Sequence, residues 1–214
     1  MEVDRRRGSV SEITTLALRV CDLAIAIPMM VFFFFPMVVI ACCIWLEDRD
    51  AVFFRQMRVG RETRPFMILK FRTMITDNNR FMGDAHSSGI SKEARAQFKT
   101  TTKNDSRITR VGKVLRPAHL DELPQLINVL LGDMSLVGVR PDVPVQEADY
   151  TPEQWQERHI LRPGITGFAQ VDDTIQNTDQ RTAQDLRWVR NASVTLYFQT
   201  LFKTVVKVFK RNSL

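Results

Sequence analysis

Apolar positions are spread unevenly along the chain. From Leu23 to Leu46 the sequence LAIAIPMMVFFFFPMVVIACCIWL runs for 24 residues without a charge. As a straight helix this stretch would extend roughly 36 Å, against ~30 Å for the hydrocarbon core of a bilayer. Pro28 and Pro36 interrupt it, and a proline inside a helix removes a backbone bond and favours a bend. Arginines crowd both flanks: Arg5, Arg6, Arg7 and Arg19 before, then Arg49, Arg55, Arg58, Arg61 and Arg64 after. Basic flanks prefer the cytoplasmic side, so a single crossing would leave one cluster outside. A helix that enters the membrane, breaks at Pro36 and returns keeps both clusters inside, with the freed backbone groups satisfied by the helices themselves. The pattern predicts this re-entrant helix. A straight span and a processed lipoprotein-type signal, suggested by Val39-Ile40-Ala41-Cys42, are the competing readings.

Beyond the apolar run the periodicity changes. Residues 51–74, AVFFRQMRVGRETRPFMILKFRTM, read as short strands and turns, with Phe66, Ile68 and Phe71 alternating imperfectly and Gly60 and Pro65 marking a turn. The polar stretch 76–106 predicts a long surface loop or short helices. Leu123, Leu126, Ile127, Leu130 and Leu131 follow the spacing of a helix buried on one face. Pro124 is tolerated only in its first turn, which places Asp121 and Glu122 at the helix start, and Gly132 ends it. Thr151-Pro152-Glu153-Gln154 is a capped helix start, and RPGITGFAQV (162–171) predicts a tight, ordered loop. The stretch 193–211 places Thr200, Lys203, Lys207 and Lys210 on one face, with Phe198, Leu201, Phe202, Val205, Val206 and Phe209 on the other. That is the pattern of a helix lying in the membrane interface, with a core-packed last helix as the alternative.

A formal charge of +6 and a pI near 9.5 point to a polyanionic partner: nucleic acid, an anionic membrane surface or a phosphate-bearing substrate. Nucleic acid would account for the charge but leaves Leu23–Leu46 unexplained, so no nucleic-acid partner is expected. Cys21, Cys42 and Cys43 fit no disulfide framework and read as reduced packing residues. The phosphate loop GxxxxGK[ST], the dinucleotide signature GxGxxG and Cys/His metal spacings are all missing from the sequence.

The remaining chemistry concentrates in HLDELPQLINVLLGDMSLVGVRPD, residues 119–142. A helix N-terminus favours ionised carboxylates by roughly 0.3–1 kcal/mol, so Asp121 and Glu122 are expected to be charged. Acidic first-turn residues are also ordinary helix-start signals. The cations in the sequence shift that weight: Arg116 upstream, Arg140 downstream, and Lys70 with Arg72 in KFRT. Such groups serve phosphate oxygens. Two carboxylates among cations also suit a hard divalent ion bridging to a phosphate, typically Mg²⁺. A carboxylate can itself attack phosphorus and split one transfer into two. His119 lies close to the pair and reads as an incidental loop histidine.

Three stretches, FFRQMRVGRETRPFMILKFRTM (53–74), DSRITRVGKVLRPAHLDELPQLINVLLGDMSLVGVRPD (105–142) and HILRPGITGFAQV (159–171), resemble the bacterial sugar transferases of the monotopic phosphoglycosyl transferase type. The resemblance implies a small, mostly helical α+β fold on the membrane, with a re-entrant N-terminal helix, interfacial amphipathic helices and a short β-sheet. It implies an N-terminal membrane segment (1–50), a catalytic domain (51–192) and a C-terminal amphipathic helix (193–214). The implied activity moves a sugar-1-phosphate from a UDP-sugar onto undecaprenyl phosphate at the cytoplasmic face of the bacterial inner membrane, releasing UMP. Asp121 is then the nucleophile, Glu122 completes the dyad with Mg²⁺, and Arg116 and Arg140 match phosphate-binding positions. Arg162 and Gln170 join Lys70 and Arg72 as candidate phosphate or nucleotide contacts. Pro36 matches the membrane break by its distance from Asp22. Membrane lipids, a second copy of the chain and downstream glycosyltransferases are further expected partners.

The chain departs from the family pattern in several places. Val139 stands where GPRP is usual, His119 where a serine or threonine is common, and Phe35 where a serine precedes the membrane proline. Val171-Asp172-Asp173-Thr174 replaces VNGR, and two acids beside a nucleotide-sugar site would favour a cationic sugar. The altered loop also permits a rival reading, an inactive membrane-bound scaffold or regulator, against which the intact dyad argues.

Overall fold

The whole apolar run lies in one helix, α1 (Glu12–Asp48), in the computed structural model, which describes residues 10–75, 105–175 and 177–211. Ser11 caps its start by accepting from Ile13 N at 3.2 Å, and the chain leaves through Arg49 in the left-handed region, φ 59°. The break expected at Pro36 does not interrupt this helix: both prolines lie inside it. One side of α1 is supported along its length. Leu18, Asp22, Ala26, Met37 and Ile44 are buried, and Met30, Phe33 and Ile40 pack between them, forming one stripe at helical spacing against the rest of the protein. Outside that stripe Phe32, Phe34, Phe35, Val38 and Val39 are exposed. Among the described residues, α1 is the one helix long and apolar enough to cross a membrane.

Both ends of α1 are tied to the same folded unit. Near its start Arg19 donates to the carbonyls of Val129 (2.5 Å) and Leu130 (3.0 Å). Asp22 Oδ1 accepts from Ser135 Oγ, Leu136 N and Tyr197 Oη, each at 2.9 Å. At its end Glu47 accepts from Arg110 N (2.6 Å) and Val111 N (3.2 Å), and Asp48 pairs with Arg72.

Strands β1 (Phe53–Val59) and β2 (Pro65–Phe71) form the predicted antiparallel hairpin, with Phe53 opposite Phe71 and Met57 opposite Met67. The imperfect alternation in β2 has a cause. Phe66 and Ile68 join one hydrophobic cluster and Phe71 joins another, so the strand serves two cores from its two faces. Next come α2 (Arg110–Leu115) and α3 (Gln125–Leu131). A second pair, β3 (Ser135–Val137) and β4 (Gly164–Thr166), is parallel, so the described residues form two small sheets. It is packed backbone to backbone: a Cβ on Gly138 would lie 2.5 Å from the Arg162 carbonyl oxygen, which only glycine avoids. Short helices α4 (Pro152–Arg158) and α5 (Phe168–Val171) precede α6 (Thr178–Asn191) and α7 (Val194–Arg211). Thr151 caps α4 as expected. The loop expected over 76–106 lies outside the described residues for positions 76–104.

Helix α7 combines the two arrangements its sequence allowed. Tyr197 and Thr200 are fully buried against the core, which corrects the placing of Thr200 on the basic outer face. Its hydroxyl returns to the Leu196 carbonyl at 2.8 Å, so burial leaves it bonded. Phe198, Phe202 and Val205 point outward, leaving an apolar strip of the kind that enters a lipid interface.

Candidate active site

The acidic pair sits in a 3₁₀ turn, Leu120–Glu122, rather than in the first turn of the helix that follows. His119 reverses the chain in the left-handed region, φ 55°, and Pro124 starts α3 one step later. Gly132 ends α3 at φ 92°, as the sequence predicted. The expected benefit of a helix N-terminus therefore gives way to another influence. Burial pushes the Asp121 carboxyl above the usual carboxylate range; Lys70 opposes this, the neighbouring Glu122 adds to it, and Arg116 opposes it.

Asn128 fixes the dyad against β2. Its Oδ1 accepts from Leu69 N at 3.0 Å and its Nδ2 donates to the Met67 carbonyl at 2.8 Å. With α3 locked to the strand in this register, Lys70 Nζ reaches Glu122 Oε1 at 2.6 Å. Arg116, just past α2, donates from Nε to Thr73 Oγ1 at 2.9 Å and remains within electrostatic reach of Asp121.

An open cleft of about 280 Å³ lies beside the pair, lined by Arg58, Lys70, Glu122, Gln125, Arg140 and Gln170 among others. Arg140 reaches it from the turn after β3, and Gln170 from α5 after β4. The parallel β3–β4 pair thus brings two distant motifs together. In the sequence Arg58 stands only as one of the basic residues after the apolar run, within the stretch 53–74, and not as a site candidate. Its Nη1 donates to the Pro141 carbonyl at 3.0 Å and its Nη2 to Gln56 Oε1 at 2.6 Å. Burial, then repulsion from Arg140, bring its guanidinium down to about 10.

Two predicted cations stand apart from this cleft. Arg72 lies just past the end of β2 and pairs with Asp48 at 2.6 Å and 2.5 Å, so the acids at the end of α1 hold it instead of a phosphate. Arg162 donates from Nε to the Gly132 carbonyl at 2.7 Å and lines a second cleft with Arg19, Asp22 and Trp188. Among the altered positions, Val139 is buried in the core. Asp173 pairs with Lys207, and Asp172 accepts from Thr174 Oγ1 at 2.6 Å and Gln184 Nε2 at 3.3 Å. Neither acid lines the cleft.

No group of three or more His, Cys, Asp or Glu side chains that could hold a metal comes together among the described residues. Asp121 and Glu122 are two carboxylates beside the cleft, Glu122 already paired with Lys70; a hard divalent ion takes one or two carboxylates together with waters and substrate phosphate oxygens.

A desolvated carboxylate flanked by a second carboxylate and several cations, beside a long apolar helix, is an arrangement suited to binding phosphate oxygens. Residues 13–211 match the bacterial sugar transferase family, and the chain belongs to it. A UDP-glucose:undecaprenyl-phosphate glucose-1-phosphate transferase of Klebsiella pneumoniae is 37% identical over 185 residues, covering 83% of this chain and 37% of that protein. An exopolysaccharide production protein of Rhizobium leguminosarum bv. phaseoli is 38% identical over 185 residues, covering 81% of this chain and 85% of that one. A UDP-N-acetylgalactosamine-undecaprenyl-phosphate N-acetylgalactosaminephosphotransferase of Aeromonas hydrophila is 39% identical over 188 residues, covering 85% and 40%. The chain spans little more than a third of the length of the Klebsiella protein.

Proposed function

We propose that this protein transfers a sugar-1-phosphate from a UDP-sugar to undecaprenyl phosphate, in two steps, with Asp121 as the nucleophile. The observation carrying this reading is the Asp121–Glu122 pair held among Lys70, Arg116 and the cleft cations, on a unit bound to both ends of an apolar helix.

In the first step an Asp121 carboxylate oxygen attacks the donor's sugar-bearing phosphorus. The bond from that phosphorus to the bridging oxygen breaks, and UMP leaves with the electron pair. In the second, an oxygen of undecaprenyl phosphate attacks the same phosphorus and Asp121 departs as a carboxylate. Desolvation makes Asp121 a stronger base and nucleophile once ionised. Lys70 holds Glu122 in place, and Arg116 and Arg140 take phosphate oxygens. Asp121 and Glu122 would hold Mg²⁺, which when bound neutralises phosphate charge.

The membrane arrangement follows the same logic. Arg19 and Asp22 at one end of the apolar run, and Asp48 at the other, contact a single folded unit. One unit cannot sit on both sides of a bilayer, which supports an α1 that meets the membrane from one side, the cytoplasmic face of the inner membrane, rather than spanning it. Exposed Phe32, Phe34 and Phe35 enter lipid, and the outward face of α7 lies along the interface. This keeps the dyad at headgroup level, where a water-soluble donor meets a lipid-bound acceptor.

The test is UMP release from a panel of UDP-sugars by the purified chain, with and without undecaprenyl phosphate. Multiple turnover that depends on the acceptor is expected. A folded protein releasing no UMP from any donor would favour the inactive scaffold.

A further inference from the structure

Two buried polar atoms belonging to the cleft's lining residues have no partner on the protein. One is a donor, Arg58 Nε–H; the other is an acceptor, Gln170 Oε1. Buried orphans are uncommon in native proteins and call for an explanation, a water, an ion or a ligand among them; Arg61, Gln184 and Trp188 carry others away from this cleft. Arg58 is otherwise held firmly, through Pro141 and Gln56, so its Nε is fixed in place without an acceptor.

The cations divide around the dyad. Lys70 and, more weakly, Arg116 act on Asp121. Arg58 interacts with Arg140 and Glu122, and all three line the cleft. Two guanidinium groups facing one cleft repel each other until an anion lies between them. Asp121 thus has Lys70 and Arg116 as its cations, while Arg58, Arg140 and Gln170 line the cleft with Lys70 and Glu122.

We propose that Arg58 is a catalytic residue of the leaving-group side, gripping the phosphate of the departing UMP while Arg116 serves the side of attack. The inference rests on the reading of the cleft given above. As the bond from phosphorus to the bridging oxygen breaks, that oxygen keeps the electron pair and UMP leaves as a phosphate anion, with no proton transfer needed. A fixed cation there stabilises charge that grows along the reaction, at no cost of reorganisation. Arg58 Nε–H meets a phosphate oxygen, and Gln170 Oε1 meets a donor on the nucleoside, a ribose hydroxyl or the uracil N–H.

The alternative role for Arg58 is to brace the Arg140–Pro141 turn through the Pro141 carbonyl. UMP affinity of the full chain, measured by calorimetry in detergent, separates the two. Losing a charge-assisted hydrogen bond predicts that Arg58→Gln weakens UMP binding about 10- to 100-fold while uridine binding is unchanged. In an Arg140→Gln background, removing Arg58 should weaken UMP about tenfold further. No further loss there means Arg58 acts only through Arg140 and overturns the proposal. UMP affinity within about twofold of wild type in a folded Arg58→Gln protein also overturns it. Should the glutamine variant fail to fold, Arg58→Lys is the deciding protein: it keeps the charge and loses the planar fork, and unchanged affinity counts against the proposal. A wild-type chain that does not bind UMP overturns the reading of the cleft itself, whereas binding insensitive to Arg58 overturns this inference alone.

Discussion

Two carboxylate–cation clusters lie near each other in sequence and differ in burial and in the number of partners left over. In the buried one, Arg158 is 2% exposed and its guanidinium is shared between Asp142 (3.0 Å and 3.1 Å) and Asp185 (2.7 Å). Tyr150 covers it at 4.6 Å, and His159 Nε2 stands 3.5 Å from Asp142. In the open one, Asp121 has no side-chain hydrogen bond among its influences, and Arg58 and Gln170 each keep an unpartnered atom. The first cluster holds Asp142, two residues past Arg140, and so secures the turn that presents that arginine. The second is left incomplete, and an incomplete set of charges is what a substrate can finish. Charge density alone does not separate the two.

The sharpest way to break this comparison is to remove one carboxylate from the open cluster. Asp121→Asn should lower UMP release by about a thousandfold or more, because a neutral amide does not attack phosphorus. Near-normal turnover in that variant would remove the nucleophile. The matching change in the closed cluster acts on stability. Arg158→Met leaves Asp142 and Asp185 buried without their cation, and denaturant unfolding should show a loss of about 3–5 kcal/mol.

The pH dependence of stability should have opposite signs at Asp121 and at Asp142. Burial raises Asp121, so its contribution is fully present below its unfolded value near 3.8 and is lost as pH rises through the folded one. Asp121→Asn should therefore be more stable than wild type at neutral pH, with the gain vanishing in acid. Burial opposes the ionised Asp142, but His159 and Arg158 together outweigh it and leave that carboxyl below its usual value. Its contribution is present above the unfolded value and lost as pH falls through the depressed one, so Asp142→Asn should be destabilised at neutral pH and approach wild type in acid. Thermal unfolding across the acid range reads both. The smallest effect is expected at the altered loop. Asp173 is 80% exposed and paired with Lys207, so Asp173→Asn should shift the thermal midpoint by about 2 °C or less and leave the order of preference among UDP-sugars unchanged. A changed donor order would restore the loop as a specificity element.

The sequence carried the parts of this molecule that depend on local chemistry. The apolar run, the hairpin, the end of α3 at Gly132 and the Thr151 cap are written in neighbouring residues. Of the residues at and beside the cleft, Arg116, Asp121, Glu122 and Arg140 lie in one stretch of sequence, and Lys70 comes from the KFRT group well upstream. Helix α6 gives little apolar periodicity; its buried residues include Thr182 and Asp185, so only the fold shows its inner face. Strands of three residues, such as β3 and β4, are too short to show a period. Arg72 shares a tetrapeptide with Lys70, yet the acids closing α1 claim it, a contact across 24 positions of sequence. Arg58 and Gln170 become neighbours only through the β3–β4 pairing and the turn after it.

Intact-protein and peptide mass spectrometry of the purified chain, mixed with its UDP-sugar in the absence of undecaprenyl phosphate, tests the covalent role of Asp121 most directly. A phosphosugar adduct on the peptide holding Asp121, absent from Asp121→Asn and discharged on adding the acceptor, is the predicted result. Acceptor-dependent UMP release with no adduct, or an adduct on another residue, would contradict it.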